Sequence, residues 1–189
     1  MMSRDWKTVL AEHAGVVGRL DAAGETLNRI ADAIIACFRD GGRVFLFGNG
    51  GSAADAQHIA GELLGRYKLK RAALSAMALT TDTSTFTAIA NDIGYEYIFS
   101  RQIEGLVRPG DIAWALSTSG KSPNVLNAVR AAKERGALTI GFVGESGGEL
   151  AGLCTHAFCA PHSASDRIQE AHELAYHYVC ERVEAALAG

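Results

Sequence analysis

The side chains that can do chemistry in this chain fall into three groups. His58 and Glu62 stand four residues apart in LFGNGGSAADAQHIAGELLGRY (46–67), so on a helix both project from one face. A second group, Gln169, Glu170, His172, Glu173 and His177, lies in RIQEAHELAYH (167–177). There Gln169 and His172 share a helix face, and His177 lies about 12 Å from Gln169 at ~1.5 Å of rise per residue. Imidazole, carboxylate and amide oxygen together form a plausible zinc ligand set, and imidazole with carboxylate also forms an acid–base pair. The 12 Å span strains the idea that Gln169 and His177 hold one ion, unless both side chains lean inward or a neighbouring subunit supplies ligands. An ordinary surface pair is the plain alternative for His58 and Glu62. His172 reads as a supporting or structural residue, His13, His156 and His162 have no evident partner, and Asp55 reads as solvated.

The third group is hydroxyl and glycine loops. Gly48-Asn49-Gly50-Gly51-Ser52-Ala53 matches GxGxxA between an apolar run and a helix, the setting of a dinucleotide loop. That use requires an acidic residue about 20 positions on to hold a ribose, and the region holds Lys68-Leu69-Lys70-Arg71 instead. What remains is a turn suited to a smaller anion: glycines that let the backbone come close, the Ser52 hydroxyl and N–H groups at a helix N-terminus. Ser117-Thr118-Ser119-Gly120-Lys121-Ser122 ends in GKS, but a nucleotide P-loop needs Gly at 115, where Ala115 stands. Four hydroxyls in six residues, just before Pro123 opens a helix, suit one phosphate. A helix cap explains one of those hydroxyls and leaves three.

The elements that must carry these groups follow from periodicity. Residues 5–38 show helical spacing of Val9, Val16, Val17, Leu20, Leu27, Ile30, Ile34 and Phe38, which predicts two helices broken near Ala23-Gly24 and free to pack outside the sheet or on another subunit. Short apolar runs then follow Gly or Asp at 43–48, 74–79, 111–117, 137–143 and 156–161, separated by helical patterns. Helices are expected at 52–66, at 122–135 and at about 165–187, the last after the cap-rich Ser163-Ala164-Ser165-Asp166. This alternation predicts an α/β fold, a doubly wound five-stranded parallel sheet of flavodoxin-like type with N-terminal helices. Ligands of such sheets bind beyond the carboxyl ends of the strands, where Asn49–Ser52, Thr80–Asp82 and Ser117–Ser122 all fall.

With 189 residues and 48% hydrophobic content, the chain suits one domain with one well-buried core. Its 18 basic and 21 acidic residues are interspersed, giving a net charge of -3 and no electrostatic footprint for nucleic acid or anionic lipid. A small soluble partner fits better. MMSRDWKTVLAEH lacks the apolar core of a signal peptide, and no run approaches the ~20 apolar residues of a membrane span, so a cytoplasmic location is expected. Cys37, Cys154, Cys159 and Cys180 form no CxxC pair, which disfavours a cysteine zinc site.

Four motifs in order, GNGGSAADAQHIAGELLGRY, TAIAND (87–92), LSTSGKSPN and RIQEAHELAYH, resemble the sugar isomerase (SIS) domain family and, within it, the phosphoheptose isomerases, from about residue 5 to the end. The resemblance implies a homotetramer that interconverts sedoheptulose 7-phosphate and D-glycero-D-manno-heptose 7-phosphate through a cis-enediol, for nucleotide-activated heptose synthesis. It implies zinc held by His58, Glu62, Gln169 and His177, with Glu62 and His177 as the catalytic pair. It also implies substrate contacts from Asn49, Gly50, Gly51, Glu62, Asn91, Asp92, Ser117, Thr118, Ser119, Ser122 and Gln169; Ser52 is added from the loop chemistry alone. The alternative is an SIS-fold binding protein that associates with the bacterial replication initiator and has no isomerase activity. Such a protein need not keep a carboxylate at 62 or an imidazole at 177. A phosphosugar-sensing regulator would bring a basic recognition helix, which this sequence lacks.

Overall fold

The computed structural model describes residues 4–188. Its order is α1 (Trp6–Val17), a 3₁₀ turn (Leu20–Ala23), α2 (Gly24–Arg39), β1 (Val44–Gly48), α3 (Gly51–Leu64), β2 (Ala76–Ala78) and α4 (Thr83–Asp92). A 3₁₀ turn (Tyr95–Tyr97), α5 (Ser100–Leu106), β3 (Ile112–Ser117), α6 (Pro123–Glu134), β4 (Leu138–Val143), α7 (Gly148–Leu153), β5 (His156–Cys159) and α8 (Ser165–Leu187) follow. All strand pairs are parallel, in the order β2-β1-β3-β4-β5.

Each side of the sheet carries its own core, because successive strand residues point to opposite faces. Val44, Leu46, Ile112, Trp114, Leu116, Ile140, Phe142 and Phe158 meet α2, α3 and α8 on one face. Phe45, Phe47, Ala113 and Ala115 meet α4 to α7 on the other. The strands are therefore continuous apolar runs, as a sheet covered on both faces requires. Order reverses between β1 and β3, so the loop leading into α3 and the loop leading into α6 leave toward opposite faces, and a crevice opens between them at the strands' carboxyl ends.

The N-terminal helices correct one expectation. α2 does not lie outside the sheet: Leu27, Ile30 and Ile34 are buried in the core and the helix packs along α8. The 3₁₀ turn separates it from α1, whose Asp5 cap accepts the Thr8 N–H at 2.7 Å. α1 leaves Trp6, Leu10 and Val17 exposed. No helix among the described residues is long and apolar enough to cross a membrane, and the four cysteines are free.

Residues 65–75, between α3 and β2, form no regular element and are tied down by one carboxylate. Glu184 on α8, 2% exposed, accepts the backbone N–H groups of Tyr67, Lys68 and Leu69 at 2.8, 2.5 and 2.8 Å. Its Oε1 lies 3.2 Å from Arg71 Nε, an ion pair without hydrogen-bond geometry, since that Nε is otherwise unpartnered. Burial pushes Glu184 up, but the amides of Lys68, Leu69 and Tyr67 together with Arg71 hold it below the usual carboxylate range. A depressed carboxylate contributes stability above its unfolded pKa of about 4.3, and that contribution is lost as pH falls through the lower folded value. Glu184→Gln is expected to cost about 3 kcal/mol at pH 7, since it leaves Arg71 buried without its countercharge. Melting curves at pH 7 and pH 3.5 check this: the gap between variant and wild type narrows at the lower pH. Equal melting temperatures at pH 7 would contradict it.

Candidate active site

α3 and α8 run side by side in the same direction, and their facing residues meet level by level. At the first level the Gln169 amide lies over Gly51: a Cβ at Gly51 would sit 2.3 Å from Gln169 Nε2. A side chain at 51 would have to push the Gln169 amide aside, and glycine lets it rest there. Gly50 before it holds φ 57° and ψ -121°, a conformation that side chains disfavour, so the loop's two glycines answer two different constraints.

At the next level stand Asp55 and Glu173. Asp55 is half-buried with Oδ2 enclosed and without a hydrogen-bond partner. Its carboxyl is pushed up to about 6 by burial first and Glu173 second, against the opposing pull of His58. The expectation of a solvated Asp55 is corrected: α8 closes over it.

One turn further, His58, Glu62 and His177 converge, with one ligand atom from each lying within 4.8 Å of the others. His58 Nε2 is 3.1 Å from Glu62 Oε1 and 3.4 Å from His177 Nε2. The other nitrogen of His58, Nδ1, is 2.9 Å from the Tyr176 hydroxyl. Three rings surround His177: those of His58 and Tyr176 meet it edge-on, and that of Tyr67 lies parallel to it. Tyr176 and Tyr67 were not singled out in the sequence, although Tyr176 directly precedes His177.

The spacing within the trio fits a metal ion. Ligand bonds of ~2.0–2.2 Å at tetrahedral angles place donor atoms about 3.4 Å apart, close to the two contacts at His58 Nε2. Two imidazoles and one carboxylate are also a known catalytic zinc set that keeps one position open. With Nε2 a ligand, the His58 Nδ1 proton is free to be donated to the Tyr176 oxygen, which fixes the tautomer. Gln169 stands apart from this trio. Gly51, which it covers, precedes His58 by about 10 Å of helix, the same physical obstacle that the spacing along α8 posed.

The hydroxyl loop lies at the carboxyl end of β3. Ser117 Oγ is 3.3 Å from Ser122 Oγ and accepts the Gly120 N–H at 3.2 Å; Ser119 Oγ accepts the Lys121 N–H at 3.2 Å. Thr118 Oγ1 reaches Ser165 at the start of α8 at 3.4 Å. Ser122 occupies the cap position of α6 yet makes no side-chain cap bond, so capping does not explain its hydroxyl. Asn49 exchanges amide hydrogen bonds with Asn124 of α6 at 2.9 and 2.8 Å, which joins the glycine loop to the hydroxyl loop across the crevice. Tyr95 Oη also donates to Asn49 at 3.1 Å.

Three expected contacts sit differently. Ser52 is 4% exposed, pressed against Gly48 on the sheet side of α3, rather than at the loop surface where a phosphate-facing hydroxyl was expected. Asn91 and Asp92 are exposed at the end of α4, where the Asn91 amide donates to Asp92 at 2.7 Å; among the described residues neither bonds to the trio. His172 is fully buried, donates from Nε2 to Val143 O at 3.1 Å and is pushed down to about 4 by burial, so it remains neutral and pins α8 to β4.

The sequence and fold have known counterparts. The family model described as SIS domain matches residues 12–144. The phosphoheptose isomerase of Bradyrhizobium sp. (strain ORS 278) is 52% identical over 93% of this chain and 87% of its own length. That of Paramagnetospirillum magneticum is 51% identical over 95% and 94%. Among solved structures, phosphoheptose isomerase GmhA from Neisseria gonorrhoeae superposes with a TM-score of 0.90 at 38% identity, covering 95% of this chain and 96% of that one. A phosphoheptose isomerase from Francisella tularensis gives 0.91 at 31%, with the same coverage. The chain is a SIS-domain protein and belongs to the phosphoheptose isomerase family.

Proposed function

We propose that this chain converts sedoheptulose 7-phosphate into D-glycero-D-manno-heptose 7-phosphate, an aldose–ketose isomerisation through a cis-enediol. The observation that carries the proposal is the meeting of a carboxylate and two imidazoles on α3 and α8, two helices that start at the glycine loop and at the Ser165 contact of the hydroxyl loop. Glu62 removes the proton on the carbon next to the carbonyl and, after exchange with solvent, delivers a proton to the neighbouring carbon. His177 moves protons between the two oxygens, one of which gains a proton as the other loses it. His58, Glu62 and His177 would hold zinc, and Gln169, which would have to turn its amide away from Gly51 to join them, is placed to contact the substrate. When bound, the ion supplies Lewis-acid polarisation of the sugar oxygens.

Ser117, Thr118, Ser119 and Ser122 bind the phosphate, and Asn49, Gly50 and Gly51 line the path from it to the reacting carbons. Thr118 and Ser119 also border a cavity of about 210 Å³ in which Lys121 and Glu145 offset one another. The phosphate is assigned to the side facing Asn49, whose bonds to Asn124 join the hydroxyl loop to the glycine loop. Anchoring at that distance holds the reacting carbons in place without touching them. Because Ser122 caps nothing, Ser122→Ala is expected to leave the melting temperature unchanged and raise KM for the phosphorylated sugar about tenfold, one charge-assisted hydrogen bond. An unchanged KM would remove Ser122 from the phosphate site.

The family resemblance and the apolar side chains Trp6, Leu10 and Val17 of α1 and Leu174 and Tyr178 of α8, all exposed, support a cytoplasmic homotetramer with these helices at subunit contacts. The binding-module alternative has no observation in its favour, and Glu62 and His177, which it need not keep, lie in one cluster. Incubation of the purified protein with sedoheptulose 7-phosphate, read by ¹H NMR for aldose anomeric signals, tests the function. Conversion supports it; unchanged ketose would return the chain to the binding class.

A further inference from the structure

We propose that Tyr67 is a positioning residue for His177, and that the carboxylate of Glu184 and the guanidinium of Arg71 form the brace that holds Tyr67 in place. The inference deepens the isomerase reading and rests on its assignment of proton transfer to His177. Its observations are separate from those that define the cluster.

His177 lies on a partly exposed stretch of α8, where an imidazole has several rotamers and a broad χ2. Its Nε2 contact with His58 fixes one atom and leaves the ring free to turn about that point. Of the three rings around His177, only that of Tyr67 lies parallel, with centroids 5.5 Å apart and planes 21° from coincidence. His58 and Tyr176 meet it edge-on at 78° and 66°. A parallel neighbour restricts rotation of the imidazole plane in a way that edge contacts do not. Proton transfer between two adjacent sugar oxygens depends on that plane.

Tyr67 belongs to a segment without regular structure, so something must hold it. Glu184 lies two helical turns beyond His177 on the same face of α8 and accepts three consecutive amides, the first of them that of Tyr67. One helix thus carries both the imidazole and the anchor of the ring that lies against it. Arg71, in the same segment as Tyr67, completes the brace by reaching the end of α3. Its Nη2 donates to the carbonyl of Glu62 at 2.7 Å, and its Nη1 donates to the carbonyls of Leu63 and Ala72 at 2.8 and 2.9 Å. The cation sits where the helix dipole is negative and ties the backbone of Glu62 to the loop that carries Tyr67. The two proposed catalytic residues are in this way referred to one buried ion pair. Lys68 adds a smaller contact, its Nζ 4.9 Å from the centroid of the Tyr67 ring and 2.9 Å from Glu181.

The phenol hydroxyl bonds to neither His177 nor Glu184, so phenylalanine should replace tyrosine and an aliphatic residue should not. The experiment compares Tyr67→Phe and Tyr67→Leu with wild type by three measurements: kcat and KM for sedoheptulose 7-phosphate, the melting temperature, and the His177 Cε1–H proton shift in metal-free protein. In Tyr67→Leu, kcat is expected to fall about 10- to 100-fold, the scale of a small misplacement of a reacting group, with KM changed less than about threefold. The His177 resonance moves downfield as the ring current is lost. Tyr67→Phe restores kcat to within about threefold and the resonance to its wild-type position. Wild-type kcat in Tyr67→Leu, or equal loss in both variants, would overturn the positioning role. An unmoved resonance in Tyr67→Leu would overturn the stack itself. Wild-type protein without isomerase activity whose His177 resonance still moves in Tyr67→Leu would defeat the isomerase reading, and with it the role of the stack in catalysis, while leaving the stack standing.

Discussion

Glu62→Gln is expected to reduce turnover of sedoheptulose 7-phosphate by about 10³-fold or more while the affinity for the sugar phosphate stays within about threefold, the signature of a lost general base. The substitution keeps size and one oxygen, removes basicity and turns one charged member of the proposed ligand trio into a neutral amide. Glu62 is well placed for the role: its side chain is 19% exposed, so it reaches the crevice while lying largely out of bulk water. Its carbonyl is held by Arg71, which limits how far the helix end can adjust in the variant. Turnover by NMR and binding by calorimetry check the two halves separately. Undiminished turnover would remove Glu62 from catalysis, and lost binding with proportionate turnover would make it a substrate contact only.

His177→Asn is expected to have the next largest effect, a loss of about 10²- to 10⁴-fold in kcat, because it removes a proton carrier and one member of the proposed ligand trio together. His58→Asn separates those contributions. His58 has no proposed proton-transfer role, and its Nδ1 is engaged by Tyr176. If zinc is catalytic, both variants lose bound metal and activity, and zinc restores wild-type protein after chelation. Metal analysis alongside kcat decides the matter. Full activity in metal-free wild type would reduce zinc to a structural or incidental ion and leave the acid–base pair as the whole of the chemistry.

The sequence made the local features legible because each depends on neighbours within a few residues. The i, i+4 spacing of His58 and Glu62, the glycines before α3, Pro123 at the start of α6 and the bounds of α8 all follow from helix geometry and capping chemistry. The strands declared themselves as apolar runs, although β2 is only Ala76–Ala78, since this edge strand has one neighbour and its partner loop is fixed by Glu184 instead. Features made by two distant segments were not legible. Nothing local in Asp55 foretells that α8 covers it, nothing in Tyr67 that His177 lies beneath its ring, and nothing in Asn49 that Asn124 faces it across the crevice. Ser52 shows the same limit in reverse: its type and position suggested a phosphate ligand, but the turn of the helix sends it toward β1. For Gln169, helical rise already marked the difficulty that the structure displays.

The central claim is that an enediol forms between α3 and α8, and isomerisation in D₂O tests it most directly. Wild-type protein given sedoheptulose 7-phosphate in D₂O is expected to yield heptose 7-phosphate carrying solvent deuterium at C2, with the rate collapsing in Glu62→Gln. No aldose product, or product whose C2 hydrogen derives wholly from C1 of the ketose at a rate that Glu62→Gln leaves unchanged, would contradict it.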